Sequence, residues 1–260
     1  MDESGLVLIN RDGPIATVWL NLPEKLNALT RAMRDLLAVR IPELIDDPTC
    51  RVVLLTGAGR GFCAGGAFNE KSDLRATATR ERMARAHTTW IRRVLTSDTL
   101  FVSAVNGPAV GAGFGLAMLG DIVLASRDAF FKSGFPNVGA APDYAIGWTL
   151  TRAVGAVRAR DILLCDRRVD AETAERIGMV ARVVEPEQLE AEAMDVCRRL
   201  AAGPYALGLA KTMVRKAGEL SIDEYLELEA FSQGLAFASE DLHAGRVAFA
   251  AKRKPEFKGT

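Results

Sequence analysis

Two stretches of this 260-residue chain could do chemistry without any side chain: Gly61-Phe62-Cys63-Ala64-Gly65-Gly66-Ala67-Phe68 and Asn106-Gly107-Pro108-Ala109-Val110-Gly111-Ala112-Gly113. Each follows an apolar run that reads as a buried strand, Val52 to Thr56 and Phe101 to Val105. Glycines let a backbone come close to a ligand, so a pair of such turns can aim N–H groups at one atom from two directions, as an oxyanion hole does. No Asp or Glu lies between Gly57 and Asn69 or between Val102 and Gly120. An acid or base must therefore come from elsewhere, and the strongest candidate is Asp143 in Gly139-Ala140-Ala141-Pro142-Asp143. By local sequence alone, an Asp after Pro142 fits an Asx turn or a helix N-cap better than it fits catalysis.

Other chemistries fit less well. Gly57-Ala58-Gly59-Arg60-Gly61 follows a strand, but Phe62 stands where a dinucleotide fingerprint needs glycine, and no Gly-Lys-Ser/Thr follows to make a phosphate loop. Cys63 has no histidine in its motif and reads as a small buried residue. His87 and His243 are the only histidines; His87, among charged residues, reads as surface. The four cysteines, Cys50, Cys63, Cys165 and Cys197, have neither metal-site spacing nor the density of a secreted disulfide scaffold.

The elements that must position these turns follow from patterning. Asp12-Gly13 between Val7-Leu8-Ile9 and Ile15–Leu20 signals a hairpin. Thr30 caps a helix carrying Met33, Leu36, Leu37 and Ile41, which Pro42 is expected to end or bend. The charged stretch Glu70 to Arg85 reads as a lid or irregular helix, followed by a helix from Ala86 to Leu95. Beyond the second turn come a helix from Ala112 to Leu119 and strands Ile122–Ala125 and Ala129–Lys132. The recurrence of strand, strand, helix suggests stacked ββα turns rather than a doubly wound sheet. The last third is helical, with a capping box at Ser221 and Glu224.

Composition narrows the partners. Lys and Arg number 33 against 33 Asp and Glu, scattered rather than clustered, so a nucleic-acid stripe is not expected. The most apolar stretch, Val102 to Ala125, is broken by Asn106, Gly107, Pro108 and Asp121 and is not read as a membrane span. The start, Met1-Asp2-Glu3-Ser4, lacks a basic region and apolar core, so no signal peptide and a cytoplasmic location are expected.

Several ordered motifs carry a resemblance. Lys25-Leu26-Asn27-Ala28-Leu29, Phe62-Cys63-Ala64-Gly65, the Val105-to-Asp121 block, Gly139 to Asp143, Asp166-Arg167-Arg168-Val169, Gly178-Met179-Val180 and Phe249 with Lys252-Arg253 resemble the enoyl-CoA hydratase/isomerase (crotonase) family. The resemblance implies an α/β fold, with a ββα spiral core holding the acyl-CoA site over residues 1–200 and a C-terminal helical trimerisation region over 201–260. It implies a homotrimer or dimer of trimers acting on a coenzyme A thioester, with coenzyme A entering only as part of the substrate and no metal or further cofactor. It places the oxyanion donors at the N–H groups of Gly66 and Ala112. It also places Lys25, Leu26, Ala28, Ala64 and Gly65 along the coenzyme A side, Phe135 in the acyl pocket, and Phe249 and Lys252 against a neighbour's nucleotide.

The resemblance also locates a departure. Family hydratases add water with two glutamates, at positions that match Gly115 and Phe135 here, and neither residue moves a proton. The Gly139–Asp143 loop is similar instead to family isomerases with a single aspartate. A double-bond shift with Asp143 as proton shuttle is thus expected. The rivals are a hydratase using Glu70 or Glu81 as a second acid, an aryl-CoA dehalogenase-like reaction whose histidine and tryptophan positions hold Arg92 and Phe135, and a non-catalytic acyl-CoA- or RNA-binding protein.

Overall fold

The computed structural model describes residues 3–67 and 75–260; Glu70 lies outside them. In chain order the elements are β1 (Val7–Asp12), β2 (Ile15–Leu20), α1 (Arg31–Asp46), β3 (Val52–Gly57), α2 (Ala76–Ala86), α3 (Arg92–Thr96), β4 (Leu100–Val105), β5 (Ala109–Val110), α4 (Ala112–Ala117), β6 (Ile122–Ser126), β7 (Phe130–Lys132), α5 (Ile146–Leu164), β8 (Val169–Asp170), α6 (Ala171–Arg176), β9 (Arg182–Val184), α7 (Leu189–Ala201), α8 (Ala206–Lys216), α9 (Ile222–Ala238) and α10 (Glu240–Ala250).

Two sheets result. The larger runs β1-β2-β3-β4-β6-β9, with β1 antiparallel to β2 across the predicted hairpin and every later pair parallel. The smaller runs β5-β7-β8 and is extended by single bridges, Cys63 to Ala109 and Leu29 to Gly66. Parallel neighbours need a crossover, and each crossover here leaves a long strand, touches the small sheet and returns through a helix. The path β3, Cys63–Gly66, α2–α3 is repeated by β4, β5, α4 and by β6, β7, α5. The ββα reading therefore holds. Every residue of β4 is buried, as is Val52–Leu55 in β3, because helices cover the sheet: α7 packs on one face and α1, α3, α4 and α5 belong to the core on the other.

Two local expectations are corrected. Pro42 does not end α1, which continues to Asp46. An interior proline costs about 3 kcal/mol, but continuing the helix past it keeps Leu44 buried and Ile45 packed against the core, burial worth about 1.5–3 kcal/mol for a full side chain. The helix expected from Ala86 begins at Ala76 and passes through a π turn, His87–Ile91, into α3. No residue of α2 is buried, so it has no apolar periodicity to announce it; Trp90, Ile91 and Val94 beyond it anchor the segment.

The C-terminal helices pack sparingly. Among their residues only Gly208, Ser232, Asp241 and Ala248 are buried, whereas Ile222, Phe231 and Phe237 on α9 are exposed. The Ser221 capping box forms as expected. Among the described residues no helix is long and apolar enough to cross a membrane.

Candidate active site

The first glycine turn is held from both sides. Cys63 N–H donates to Pro108 O (3.0 Å) and Val110 N–H to Cys63 O (2.9 Å), tying it to the second turn. On the other side Ala64 N–H donates to Leu26 O (2.9 Å), Leu29 N–H to Gly65 O (2.7 Å) and Ala67 N–H to Leu29 O (3.1 Å). This parallel bridge engages the groups flanking Gly66, so the N–H of Gly66 itself points to the opposite edge. Ala112 opens α4, where the first N–H groups have no partner inside the helix. Gly65 adopts φ 93°, and a Cβ there would stand 2.8 Å from Val110 O and 3.7 Å from Ala112 N. Only glycine lets the turns approach this closely.

Buried Asn27 braces the turn from beneath. It accepts from Leu22 N–H (2.8 Å) and donates to Ala58 O (2.9 Å) and Gly61 O (2.7 Å). Asn106 donates to Gly57 O (2.9 Å) and Gly59 O (2.8 Å). The glycines of Gly57–Gly61 thus bend a scaffold loop.

Asp143 is half-buried, and its Oδ1 is enclosed with no hydrogen-bond partner among the described residues. Burial raises its pKa to about 6, although the positive charge of Arg34 and its own backbone N–H pull the other way. Left-handed Tyr144 (φ 51°) and Ala145 (φ 58°) follow it, turning the chain into α5. Buried Tyr144 packs edge-on against Trp90, with ring centroids 5.8 Å apart. A Cβ on Gly115 would stand 2.6 Å from Tyr144 Cβ and 3.0 Å from Asp143 O, so the loop carrying Asp143 occupies the space a side chain at 115 would need.

The remaining predicted residues divide. Leu26, Ala28, Ala64, Gly65 and Gly66 lie together on the paired segments Leu26–Leu29 and Ala64–Ala67, with Lys25 exposed beside them. Phe135 is buried in the core cluster that also holds Ala112 and Tyr144. Phe249 is 86% exposed and Lys252 is exposed, both at the end of α10. Cys63 is buried with its thiol pushed up to about 12, which removes it as a nucleophile. Glu81, His87 and Arg92 are exposed on the helical segment before β4. Among the described residues no cluster of three or more His, Cys, Asp or Glu could hold a metal ion.

Sequence reading passed over Arg34. A Cβ on Gly66 would lie 3.9 Å from its Nη1, and its charge acts on both Asp143 and Tyr144. Thr30 caps α1 with its hydroxyl accepting from Met33 N–H (3.1 Å), and Met33 turns into the core while Arg34 turns toward the site.

On a spiral of ββα turns, two interlocked glycine turns thus lie in one molecule with a half-buried carboxylate whose Oδ1 is enclosed. The enoyl-CoA hydratase/isomerase profile matches residues 10–260, and the chain belongs to that family. It is 38% identical to the 1,2-epoxyphenylacetyl-CoA isomerase of Escherichia coli K12, covering 97% of this chain and 98% of the relative. It is 31% identical to a short-chain-enoyl-CoA hydratase of Clostridium acetobutylicum, covering 98% of each. A solved enoyl-CoA hydratase from Bacillus anthracis superimposes with a TM-score of 0.91 at 26% identity, covering 98% of this chain and 100% of that one.

Proposed function

We propose that the protein shifts a double bond in an enoyl-CoA thioester, with Asp143 as the proton shuttle and the N–H groups of Gly66 and Ala112 stabilising the enolate oxygen. The observation that carries this reading is the enclosed, unpartnered Oδ1 of Asp143, on a carboxyl titrating at about 6. Such a group is ionised at neutral pH yet basic enough to take a proton, and it is close enough to the operating pH to give the proton back. One carboxylate suffices when the charge left behind is held by preorganised donors.

In this reading Asp143 removes a proton from the carbon between the thioester and the double bond. The electron pair delocalises onto the thioester oxygen, and Asp143 returns the proton at the far end of the dienolate. Lys25, Leu26, Ala28, Ala64 and Gly65 would line the coenzyme A side and Phe135 the acyl side. Phe249 and Lys252 would approach the nucleotide of a neighbouring chain. Coenzyme A takes part as the substrate's carrier.

Water addition needs a second group to deliver the oxygen. The space beside Gly115 is filled by Tyr144, Phe135 has no proton to give, and Glu81 is exposed. The direct test is Asp143→Asn, which keeps the shape but cannot accept the proton. Turnover of a β,γ-enoyl thioester should disappear while thioester affinity stays within a few-fold. A variant retaining most of the wild-type rate would remove Asp143 from this role.

A further inference from the structure

Arg34 sits where the reaction's charge moves. It lies one turn into α1, whose start is fixed to the first glycine turn by the bonds between Leu29 and its partners Gly65 and Ala67. That pairing sets the guanidinium beside Gly66, with Nη1 3.9 Å from the position a Cβ would take there. Its charge reaches Asp143 and Tyr144 on the other side. The side chain is half-buried. A cation carried on α1 therefore sits beside the first turn and acts electrostatically on the loop before α5.

The proton shuttle has a fixed charge balance. Before the first step the negative charge is on the Asp143 carboxylate. As the C–H bond breaks and an O–H bond forms on Asp143, the freed pair becomes part of the dienolate and the charge moves to the thioester oxygen. In the second step that O–H bond breaks, a C–H bond forms at the far carbon, and the charge returns to Asp143. No electron is gained or lost overall. The transferred charge thus stands at every stage on Asp143 or on the thioester oxygen, and Arg34 lies beside Gly66, one of the proposed donors to that oxygen.

We propose that Arg34 is a positioning residue of the reaction, a stationary counter-charge that stabilises the negative charge at both ends of its transfer between Asp143 and the thioester oxygen. The proposal rests on the double-bond-shift reading. A cation already in place needs no reorganisation when the charge moves, and partial burial strengthens its contribution.

Among the described residues, the titratable groups facing Asp143 are Arg34 from α1, Cys63 from the first turn and Tyr144 beside it. Burial holds both Cys63 and Tyr144 neutral far above neutral pH, so Arg34 supplies the charge. Removing it should move the acid limb of the kcat/KM profile upward from about 6.

The test measures full pH profiles for the wild type, Arg34→Gln, Arg34→Lys and Asp143→Asn, with thermal stability alongside. Arg34→Gln should lose about 10- to 100-fold in kcat and shift the acid limb upward by about half to one pH unit. Arg34→Lys should return the limb toward the wild-type position and recover part of kcat. An unshifted limb with kcat within about threefold of wild type in Arg34→Gln would overturn the proposal. So would an Arg34→Lys variant as impaired as Arg34→Gln with the limb unmoved, since that outcome means packing alone. If Arg34→Gln does not fold, Arg34→Met replaces it with the same criteria. Full activity in Asp143→Asn would instead overturn the shuttle reading itself.

Discussion

At the residue scale the site contains a cost that can be measured. Asp143 has a raised pKa in the folded chain, about 6 against an ordinary 3.8, because burial disfavours its charge. The folded state therefore binds this proton more tightly than the unfolded state. The relative stabilisation is complete below about pH 4 and is lost as the pH rises through about 6. Asp143→Asn removes the buried charge, so it should be more stable than the wild type at pH 7.5, by on the order of 1–2 kcal/mol after allowing for partial exposure. That advantage should vanish near pH 4. Denaturant titrations at the two pH values check it; an equal difference at both would show that Asp143 is not held in an unfavourable charged state.

Gly115 makes a second prediction at this scale. Because a Cβ there would press on Tyr144 Cβ and Asp143 O, Gly115→Ala should displace the loop, lowering stability by about 1–3 kcal/mol and lowering kcat. Gly115→Glu should abolish the isomerase without installing a hydratase. Full activity in Gly115→Ala would show that the loop has room to spare. Asp143 was legible from the loop motif and the turns from their glycines. Arg34 was not, because on α1 it stands between core-facing Met33 and Leu37 and reads as a solvated arginine. Only the distant pairing of Leu29 with Gly66 gives it a destination.

At the element scale the same division recurs. Strands β3 and β4 were legible because both faces are buried and the runs are continuously apolar. The start of α2 was not, since nothing in it is buried. The persistence of α1 past Pro42 depends on tertiary burial that local propensity does not contain. The attachment of α8 was equally hidden. The Lys211 side chain is 5% exposed, pairs with Asp121 (2.9 Å) and donates to Val94 O (2.7 Å) and Thr99 O (2.8 Å). Asp121 also accepts from Phe101 N–H (2.8 Å) at the edge of β4. Lys211→Met removes the cation's bonds to Asp121, Val94 O and Thr99 O and leaves a part-exposed Asp121 behind, so it should cost about 1–3 kcal/mol, read as a lower unfolding midpoint. Replacing the pair together, Lys211→Met with Asp121→Asn, should recover part of that loss. A single variant as stable as the wild type would show that the pair does not anchor α8.

At the scale of the whole molecule the chain divides its apolar surface unevenly. The sheets, α1 and α3–α7 form the two hydrophobic clusters, whereas α9 leaves Ile222, Leu226, Phe231 and Phe237 exposed. Phe249 is exposed at the end of α10. Exposed aromatic faces on well-formed helices mark association surfaces, and we expect residues 201–260 to join the chain into a trimer or a dimer of trimers. Light scattering should return one of those masses across working concentrations, and a stable monomer would contradict it.

The central claim is that one carboxylate and two backbone donors shift a double bond. It is tested most directly by giving the purified protein a β,γ-enoyl-CoA in deuterium oxide and following product mass. A proton taken and returned by Asp143 should yield the α,β isomer with no water added, a mixture in which part of the product keeps the original hydrogen at the far carbon and the rest carries one deuterium there. A β-hydroxyacyl product, formed from the α,β thioester at about 10 per second or faster, would contradict the account and require a second acid at the site.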